Sequence, residues 1–187
     1  PTMFALAARA ESRPSPNDLK DVKNIYLGSA PLTASLIDDV QEVFTQAAVT
    51  DGYGTTETGP HMFGPHPQGL DRPKTSIGYP VEEMQWRFAN GSSTEGPLEC
   101  ITPALTAGYL NLPEANKEKF LDGWYKTGDI MRRDAHGFFY FVGRADDMFV
   151  CGGENIYPGE IEKILEQYPG IAEAAIVPVP HDVKGHA

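Results

Sequence analysis

The sequence predicts a mixed fold, in which a parallel α/β unit precedes an antiparallel β subdomain and the start of a small α+β domain. Three observations favour this fold class. Two short apolar runs near the start flank a stretch with helical periodicity, which is the pattern of a βαβ unit. From about Ser76 the apolar residues alternate with a period of two, which is typical of antiparallel strands. The 19 glycines and 16 prolines indicate many short elements joined by turns.

The parallel unit begins with a strand, a glycine loop and a helix. The apolar run at 24–27 leads into the loop Gly28-Ser29-Ala30-Pro31, and from Leu32 apolar residues recur at helical spacing. A second strand at 47–50 leads into the loop Tyr53-Gly54-Thr55-Thr56-Glu57. Both loops follow the carboxyl ends of parallel strands, where open α/β sheets bind ligands. We therefore expect the two loops to form the walls of one site.

The antiparallel region contains two predicted hairpins and a short helix. The turn Asn90-Gly91 is a strong hairpin signal, and residues 134–137 form a second turn. Pro113 suits the first turn of a helix at 113–120. Strands are predicted at 84–88, 97–102, 124–131 and 138–142. The last of these strands is aromatic, and we interpret it as part of the core.

The pattern restarts after residue 144. A strand at 148–150, a glycine turn and a return strand at 156–157 precede a helix that Pro158 opens and Gly170 ends. The helix carries an apolar stripe formed by Ile161, Ile164, Leu165 and Tyr168. A strand at 174–179 follows, and we expect this last unit to stop before it closes a core of its own. We therefore predict three regions, at 1–75, 76–143 and 144–187.

The composition excludes several classes of protein. A formal net charge of −11 removes the electrostatic attraction on which nucleic-acid binding depends, so we expect no nucleic-acid partner. No run approaches the roughly 20 apolar residues of a membrane span. The first ten residues lack a basic leader, and two distant cysteines do not indicate a disulfide framework, so we expect a cytoplasmic protein. His61 and His66 have no nearby cysteine that would complete a zinc site.

The loop at 53–57 carries chemistry that suits a nucleotide. Tyr53 offers an aromatic face for a base, and the threonine hydroxyls can contact a phosphate oxygen. Glu57 offers the hard oxygen ligand that Mg²⁺ prefers. The alternative interpretation is a hydrophilic turn that caps a helix, since threonine followed by glutamate is common before helices.

Two later clusters complement this loop. In Tyr125-Lys126-Thr127-Gly128-Asp129 a carboxylate follows a glycine, and such a carboxylate can accept both hydroxyls of a ribose. The other cluster joins Arg144 and Asp146 to the bare loop Cys151-Gly152-Gly153-Glu154. The alternatives are a surface turn for the first cluster and a charged domain linker for the second. Cys151 has no adjacent base, so we interpret it as a small apolar residue and not as a nucleophile.

These clusters, in this order and spacing, resemble the adenylate-forming superfamily, which contains acyl- and aryl-CoA synthetases, firefly-type luciferases and peptide-synthetase adenylation domains. The resemblance covers essentially the whole chain and is greatest for the acyl- or aryl-CoA ligase branch. It implies the end of the large domain, a hinge and the opening of the small C-terminal domain. The matching stretches are G-S-A-P-L at 28–32, Y-G-T-T-E at 53–57, G-Y-L-N at 108–111, G-W-Y-K-T-G-D at 123–129 and G-R-A-D-D-M-F-V-C-G-G-E-N-I-Y-P-G-E-I-E at 143–162.

The resemblance implies a role for each candidate residue. Tyr53 would stack on adenine, Thr56 would contact the α-phosphate, and Glu57 would hold Mg²⁺. Asp129 and Arg144 would bind the ribose. The remaining candidates are Gly28, Ser29, Ala30, Gly54 and Thr55 along the nucleotide, Asp146 at the hinge, and Gly152, Gly153 and Glu154 at the CoA tunnel.

The implied reaction has two steps and needs a carboxylic acid, ATP and CoA. The carboxylate attacks the α-phosphorus of ATP to give an acyl-adenylate and pyrophosphate, and the CoA thiol then displaces AMP. The small domain would turn about the hinge between the steps. One alternative is an adenylation domain that loads a carrier protein. Another is a non-catalytic nucleotide-binding piece, because the chain lacks both a phosphate loop ending in lysine upstream of Tyr53 and the family's late lysine; we expect this piece alone to be inactive.

Overall fold

The computed structural model of the protein describes residues 2–8, 10, 14–15, 17–29, 32–181 and 185–186. The helices are α1 (Thr2–Ala8), α2 (Ala34–Val43), α3 (Pro113–Lys119) and α4 (Pro158–Leu165). The strands are β1 (Asn24–Gly28), β2 (Ala48–Gly52), β3 (Phe63–Gly64), β4 (Tyr79–Pro80), β5 (Gln85–Phe88), β6 (Glu95–Ile101), β7 (Phe120–Leu121), β8 (Trp124–Arg133), β9 (Phe139–Arg144), β10 (Phe149–Cys151), β11 (Glu154–Ile156), β12 (Pro180–His181) and β13 (Gly185–His186). In this part of the chain, no helix is long and apolar enough to cross a membrane.

The chain divides into two compact units. The first unit comprises Pro1–Met84, Thr102–Ala107 and Asp134–Tyr140. The second unit comprises Gln85–Ile101, Gly108–Arg133 and Phe141–Ala187. Strands outnumber helices, in agreement with the predicted mixed class. The three-region division predicted from the sequence stays a prediction.

The first unit contains the predicted strand, helix and strand. β1 and β2 pair in parallel, with Asn24 opposite Ala48. The hydroxyl of Thr33 accepts the backbone N–H of Leu36 at 3.2 Å and so caps the start of α2. Burial of apolar side chains from β1, α2 and their flanks packs the helix on the strands. This core consists of Ile25, Leu27, Leu32, Ile37, Val40 and Ala47.

The first residues of the predicted aromatic strand are buried in the same unit. Phe138 and Phe139 are fully buried, which confirms their interpretation as core residues. The Ser76 hydroxyl donates a hydrogen bond to the Phe139 carbonyl at 2.9 Å and accepts the N–H of Gly78, also at 2.9 Å. The buried hydroxyl therefore satisfies the Gly78 N–H and adds a second hydrogen bond to the Phe139 carbonyl, which also accepts the N–H of Ile77 at 2.9 Å.

The second unit is built on an antiparallel sheet with the order β5-β6-β8-β7, and β9 also pairs with β8. The predicted hairpin between β5 and β6 is confirmed, and Gly91 in its turn has a φ of 73°. The β6–β8 pairing contains an irregularity that the sequence did not predict. Pro97 lies opposite Ile130, whereas Glu99 lies opposite Lys126. One residue of β6 therefore faces three residues of β8, which is a β-bulge.

A buried carboxylate joins two strands of this sheet. Glu99 in β6 is only 8% exposed, and it forms an ion pair of 2.6 Å with Arg87 in β5. The guanidinium of Arg87 also lies 4.3 Å from the ring centroid of Trp124. This stacking and the ion pair together stabilise the cross-strand contact.

The segment after residue 144 agrees with the prediction in part. β10 and β11 form the predicted hairpin, and α4 begins at Pro158 as expected. The helix ends at Leu165, however, and Gly170 belongs to a later turn with a φ of 92°. The expected apolar stripe is not buried, since Ile164 and Tyr168 are 56% and 61% exposed.

The predicted strand at 174–179 is wrong, because this segment forms no strand. The Glu162 carboxylate of α4 accepts the backbone N–H of Ile176 at 2.8 Å, so a side chain takes the place of a strand partner there. Val177 and Val179 are more than half exposed. The alternating pattern indicates which face a strand would bury, but a strand forms only where another strand lies beside it to share hydrogen bonds.

Candidate functional site

The first candidate loop begins where β1 ends beside β2. Gly28 lies opposite Gly52, and a Cβ added to Gly28 would approach the Gly52 carbonyl oxygen to 2.7 Å. Ser29 follows with a φ of 68°, a left-handed conformation that is uncommon outside glycine. Ala30 lies outside the described residues. The structure thus brings the start of this loop and the start of the Tyr53 loop to the same edge, while their roles in binding stay predictions.

The second candidate loop is a closed turn and does not cap a helix. The Thr55 N–H donates to the Thr58 hydroxyl at 3.1 Å, and the Thr58 N–H donates to the Thr55 hydroxyl at 3.2 Å. The hydroxyl of Thr102 donates to the Thr58 carbonyl at 3.0 Å. Thr58 is buried, and sequence reasoning missed it because a single threonine beside a glycine gives no periodic signal.

The turn presents its candidate side chains in different environments. Thr56 is exposed, whereas Tyr53 and Glu57 are half-buried. The Tyr53 ring packs edge-on against Phe63, with ring centroids 5.9 Å apart. The Glu57 carbonyl accepts the N–H of Thr106 at 2.8 Å, which fixes the backbone from which the carboxylate projects. The turn thus combines an exposed threonine hydroxyl with a half-buried aromatic ring and a half-buried carboxylate.

Gly54 is required by a close backbone approach, and its substitution gives a first prediction. A Cβ at Gly54 would lie 2.4 Å from the Gly59 carbonyl oxygen and 2.7 Å from the Cα of Pro60. We expect Gly54→Ala to lower the free energy of unfolding by about 1–3 kcal/mol, because the turn must open to admit the methyl group. Gly52→Ala is the matched control, since its nearest contact is the Leu27 carbonyl oxygen at 3.4 Å. Equal urea midpoints for the two variants would contradict the prediction.

Arg72 is a second residue that sequence reasoning missed. Its Nε donates to the Ser76 carbonyl at 2.9 Å, and its Nη2 donates to the carbonyl of Asp51, just before the Tyr53 loop. Burial lowers the pKa of Arg72, and the nearby Asp51 charge opposes that shift. The half-buried guanidinium therefore holds the end of β2. A lone arginine in a segment rich in glycine and proline gives no local signal of such a contact.

The second unit brings together Asp129, Arg144 and Asp146. Arg144 Nη1 lies 2.9 Å from Asp129 Oδ1, and Arg144 Nε lies 3.1 Å from Asp146 Oδ1. The side chain of Asp129 is 6% exposed, that of Arg144 40% and that of Asp146 69%. Arg144 therefore links a buried carboxylate to an exposed one. The predicted ribose pair is formed in the structure, although its ligand stays a prediction.

The shared guanidinium also determines how these groups ionise. The hydrogen bond with Asp146, followed by the Asp129 charge, raises the pKa of Arg144 above its ordinary value, although burial opposes this. The hydrogen bond from Arg144 lowers the pKa of Asp146. Folding lowers the pKa of Asp146, so any stability from its contact with Arg144 is present when the pH is above the ordinary pKa of an aspartate. That stability is lost as the pH falls through the lowered pKa. Arg144 and Asp146 are therefore both charged at neutral pH.

The candidate CoA-tunnel residues form the turn between β10 and β11. Gly152 and Gly153 have φ values of 61° and 93°, which explains why this turn contains glycine. Among the described residues, no heavy atom lies within 4 Å of a Cβ built at either position. Glu154 pairs with Cys151 across the hairpin. The structure does not test the role of this turn toward CoA.

The donor set of the Tyr53 loop fits Mg²⁺. In proteins this ion is commonly held by one or two carboxylates together with substrate phosphates and water. Glu57 supplies one carboxylate beside the exposed Thr56 hydroxyl. Among the described residues, no group of three or more His, Cys, Asp or Glu side chains forms a metal cluster. A magnesium ion at Glu57 would therefore depend on the phosphates of a bound nucleotide.

A sequence model described as AMP-binding enzyme matches residues 1–110, which are more than half of the chain. The chain belongs to this family. It is 34% identical to feruloyl-CoA synthase from an Amycolatopsis species over 187 residues, covering 96% of this chain and 37% of that protein. It is also 34% identical to 4-chlorobenzoate–CoA ligase from an Arthrobacter species over 188 residues, covering 96% of this chain and 35% of that protein.

Solved structures share the fold. The chain matches o-succinylbenzoate–CoA synthetase from Bacillus subtilis in complex with its acyl-adenylate intermediate, with a TM-score of 0.81, 29% identity, and coverage of 99% of this chain and 38% of that chain. The same enzyme in complex with ATP and magnesium matches with a TM-score of 0.78, 30% identity, and coverage of 98% and 38%. The predicted superfamily and fold class are therefore confirmed. The chain spans a little over a third of the length of the curated relatives it matches.

Proposed function

We propose that the full-length protein is an AMP-forming carboxylate–CoA ligase that activates an acyl or aryl acid with ATP. The Asp129–Arg144 pair carries this proposal, because a carboxylate and a guanidinium 2.9 Å apart could together hydrogen-bond the neighbouring hydroxyls of a ribose. The relatives named as feruloyl- and 4-chlorobenzoate–CoA ligases support it, as does the related enzyme bound to an acyl-adenylate. The substrates ATP and CoA favour a cytoplasmic location.

In the first step, a carboxylate oxygen of the acid attacks the α-phosphorus of ATP, and the bond to the bridging oxygen of pyrophosphate breaks. Tyr53 stacks on the adenine, and Thr56 hydrogen-bonds the α-phosphate. Glu57 would hold Mg²⁺, which would offset the charge of the phosphates. Asp129 and Arg144 hold the ribose. Because the α-phosphate is attached to this sugar, holding the ribose also positions the reacting phosphorus.

In the second step, the sulfur of the CoA thiol attacks the acyl carbon, AMP departs, and the thiol proton passes to solvent. We propose that Asp146 is the hinge for the change between steps and that Gly152, Gly153 and Glu154 line the path of the thiol. The open glycine turn suits this role, because a bare backbone leaves room for a slender ligand arm. A carrier protein is the alternative acceptor, and the CoA ligases among the relatives favour free CoA.

Carboxylate-dependent exchange of labelled pyrophosphate into ATP tests the proposed activation. We expect the full-length protein to catalyse this exchange with at least one member of a panel of aliphatic and aromatic acids. Added CoA should then yield the matching thioester and AMP. Exchange with none of the acids would overturn the ligase function. Exchange followed by acylation of a carrier protein, but not of CoA, would identify the alternative acceptor.

A further inference from the structure

Thr127 contacts both members of the Asp129–Arg144 pair. Its hydroxyl donates to the Leu98 carbonyl at 2.9 Å and accepts the backbone N–H of Asp129 at 3.0 Å. Its carbonyl accepts a hydrogen bond of 3.3 Å from Arg144 Nη1, the same nitrogen that bonds Asp129. Thr127 is buried, with 3% of its surface exposed. It therefore touches the backbone of one member and the side chain of the other.

These hydrogen bonds lie at the β-bulge between β6 and β8 and connect the two strands there. Leu98 is the single residue of β6 that faces Thr127, Gly128 and Asp129 of β8. Regular ladder bonds cannot form at this point, so the Thr127 hydroxyl takes the place of the missing donor and acceptor. The Gly128 carbonyl in turn accepts the N–H of Ala145 at 2.8 Å, and Gly128 has a φ of 79°. The Thr127 hydroxyl thus bonds both strands at the bulge, next to the contact between Asp129 and Arg144.

We propose that Thr127 is a positioning residue for the ribose of the nucleotide, which rests on the proposed ligase function. Its hydroxyl sets the direction of the Asp129 carboxylate, and its carbonyl supports the Arg144 guanidinium. Thr127 itself need not contact the nucleotide. Its loss should therefore act on recognition of the ribose hydroxyls more than on the chemical step.

Thr127→Val keeps the shape of the side chain and removes its hydroxyl, whereas Thr127→Ser keeps the hydroxyl. In the full-length protein we expect Thr127→Val to raise the KM for ATP about tenfold, equivalent to about 1.4 kcal/mol, with kcat changed less than about threefold. The preference for ATP over 2′-deoxy-ATP should fall toward unity. Thr127→Ser should keep the wild-type KM for ATP and the wild-type preference for ATP over 2′-deoxy-ATP.

Ser76→Ala is the matched control. The Ser76 hydroxyl likewise donates to a carbonyl on another segment and accepts the N–H two residues later, but it contacts neither Asp129 nor Arg144. We expect this variant to lose stability and to keep the wild-type preference for ATP over 2′-deoxy-ATP. If Thr127→Val does not fold, Thr127→Ala replaces it in the same comparison.

Dissociation constants for ATP and 2′-deoxy-ATP, measured by equilibrium dialysis, separate this proposal from the ligase function. If the wild-type protein binds ATP but catalyses no pyrophosphate exchange, the ligase function is overturned. The dissociation constants of the Thr127 variants would still test the positioning role. A Thr127→Val or Thr127→Ala variant that weakens both nucleotides equally, or neither, would overturn the positioning role. Loss of the preference for ATP over 2′-deoxy-ATP in Thr127→Ser would also overturn the positioning role.

Discussion

Asp129→Ala is expected to raise the KM for ATP by about 30- to 100-fold in the full-length protein. The substitution removes a buried carboxylate that the structure pairs with Arg144 at 2.9 Å. Two hydrogen bonds from ribose hydroxyls to a charged group would be lost, at roughly 1.5 kcal/mol or less each after compensation by water. The KM for the carboxylic acid should change little. Pyrophosphate exchange at varied ATP concentration provides the measurement.

Glu99→Ala distinguishes nucleotide recognition from general damage to the sheet. Glu99 and Asp129 are both buried carboxylates of the second unit, and each pairs with a partly exposed arginine. Both variants should therefore lose stability to a similar extent, because each leaves an arginine without its buried partner. Only Asp129→Ala should weaken ATP binding strongly. A comparable rise in the KM for ATP in Glu99→Ala would show that the effect of Asp129 is structural.

Asp146→Pro should slow one half-reaction by about two orders of magnitude and leave the other within a few fold. Proline fixes φ near −65° and removes the backbone N–H, so it restricts rotation at the proposed hinge. The conformation that remains accessible supports only one of the two steps, and misplaced reacting groups cost about 100-fold. Pyrophosphate exchange reports the first step. Transfer from a preformed acyl-adenylate to CoA reports the second.

Asp146→Ala is the control for the side chain. This variant also removes the contact with Arg144 but leaves the backbone free to rotate. Since Asp146 is largely exposed, we expect a small and similar effect on both half-reactions. If Asp146→Pro slowed both steps equally, or if Asp146→Ala reproduced its selective loss, residue 146 would not be the hinge.

The sequence predicted the elements that local pattern determines. Helical spacing after Leu32 located α2, and Asn90-Gly91 located the hairpin between β5 and β6. For the helix and the hairpin the information lies within a few residues or in a spacing that the chain itself displays. The joint role of Asp129 and Arg144 was implied only by the family resemblance, and the structure forms an ion pair between them.

Features that depend on distant partners could not be predicted in this way. An amphipathic pattern shows which face of α4 is apolar, but not whether another element covers Ile164. Arg72 and Thr58 act through contacts with residues that no periodic pattern connects to them. A period of two also cannot reveal that three residues of β8 face one residue of β6. Such details follow from the tertiary packing.

The bulge between β6 and β8 constrains the number of residues between Thr127 and Asp129, and not only their identity. Deleting Gly128 would shift one half of β8 by a single residue, and side chains that now point to one face of the sheet would point to the other. At the turn of Gly152 and Gly153 no neighbour in the described part of the chain imposes such a constraint on length. Natural variants should therefore preserve the spacing from Thr127 to Asp129 and accept insertions at the glycine turn.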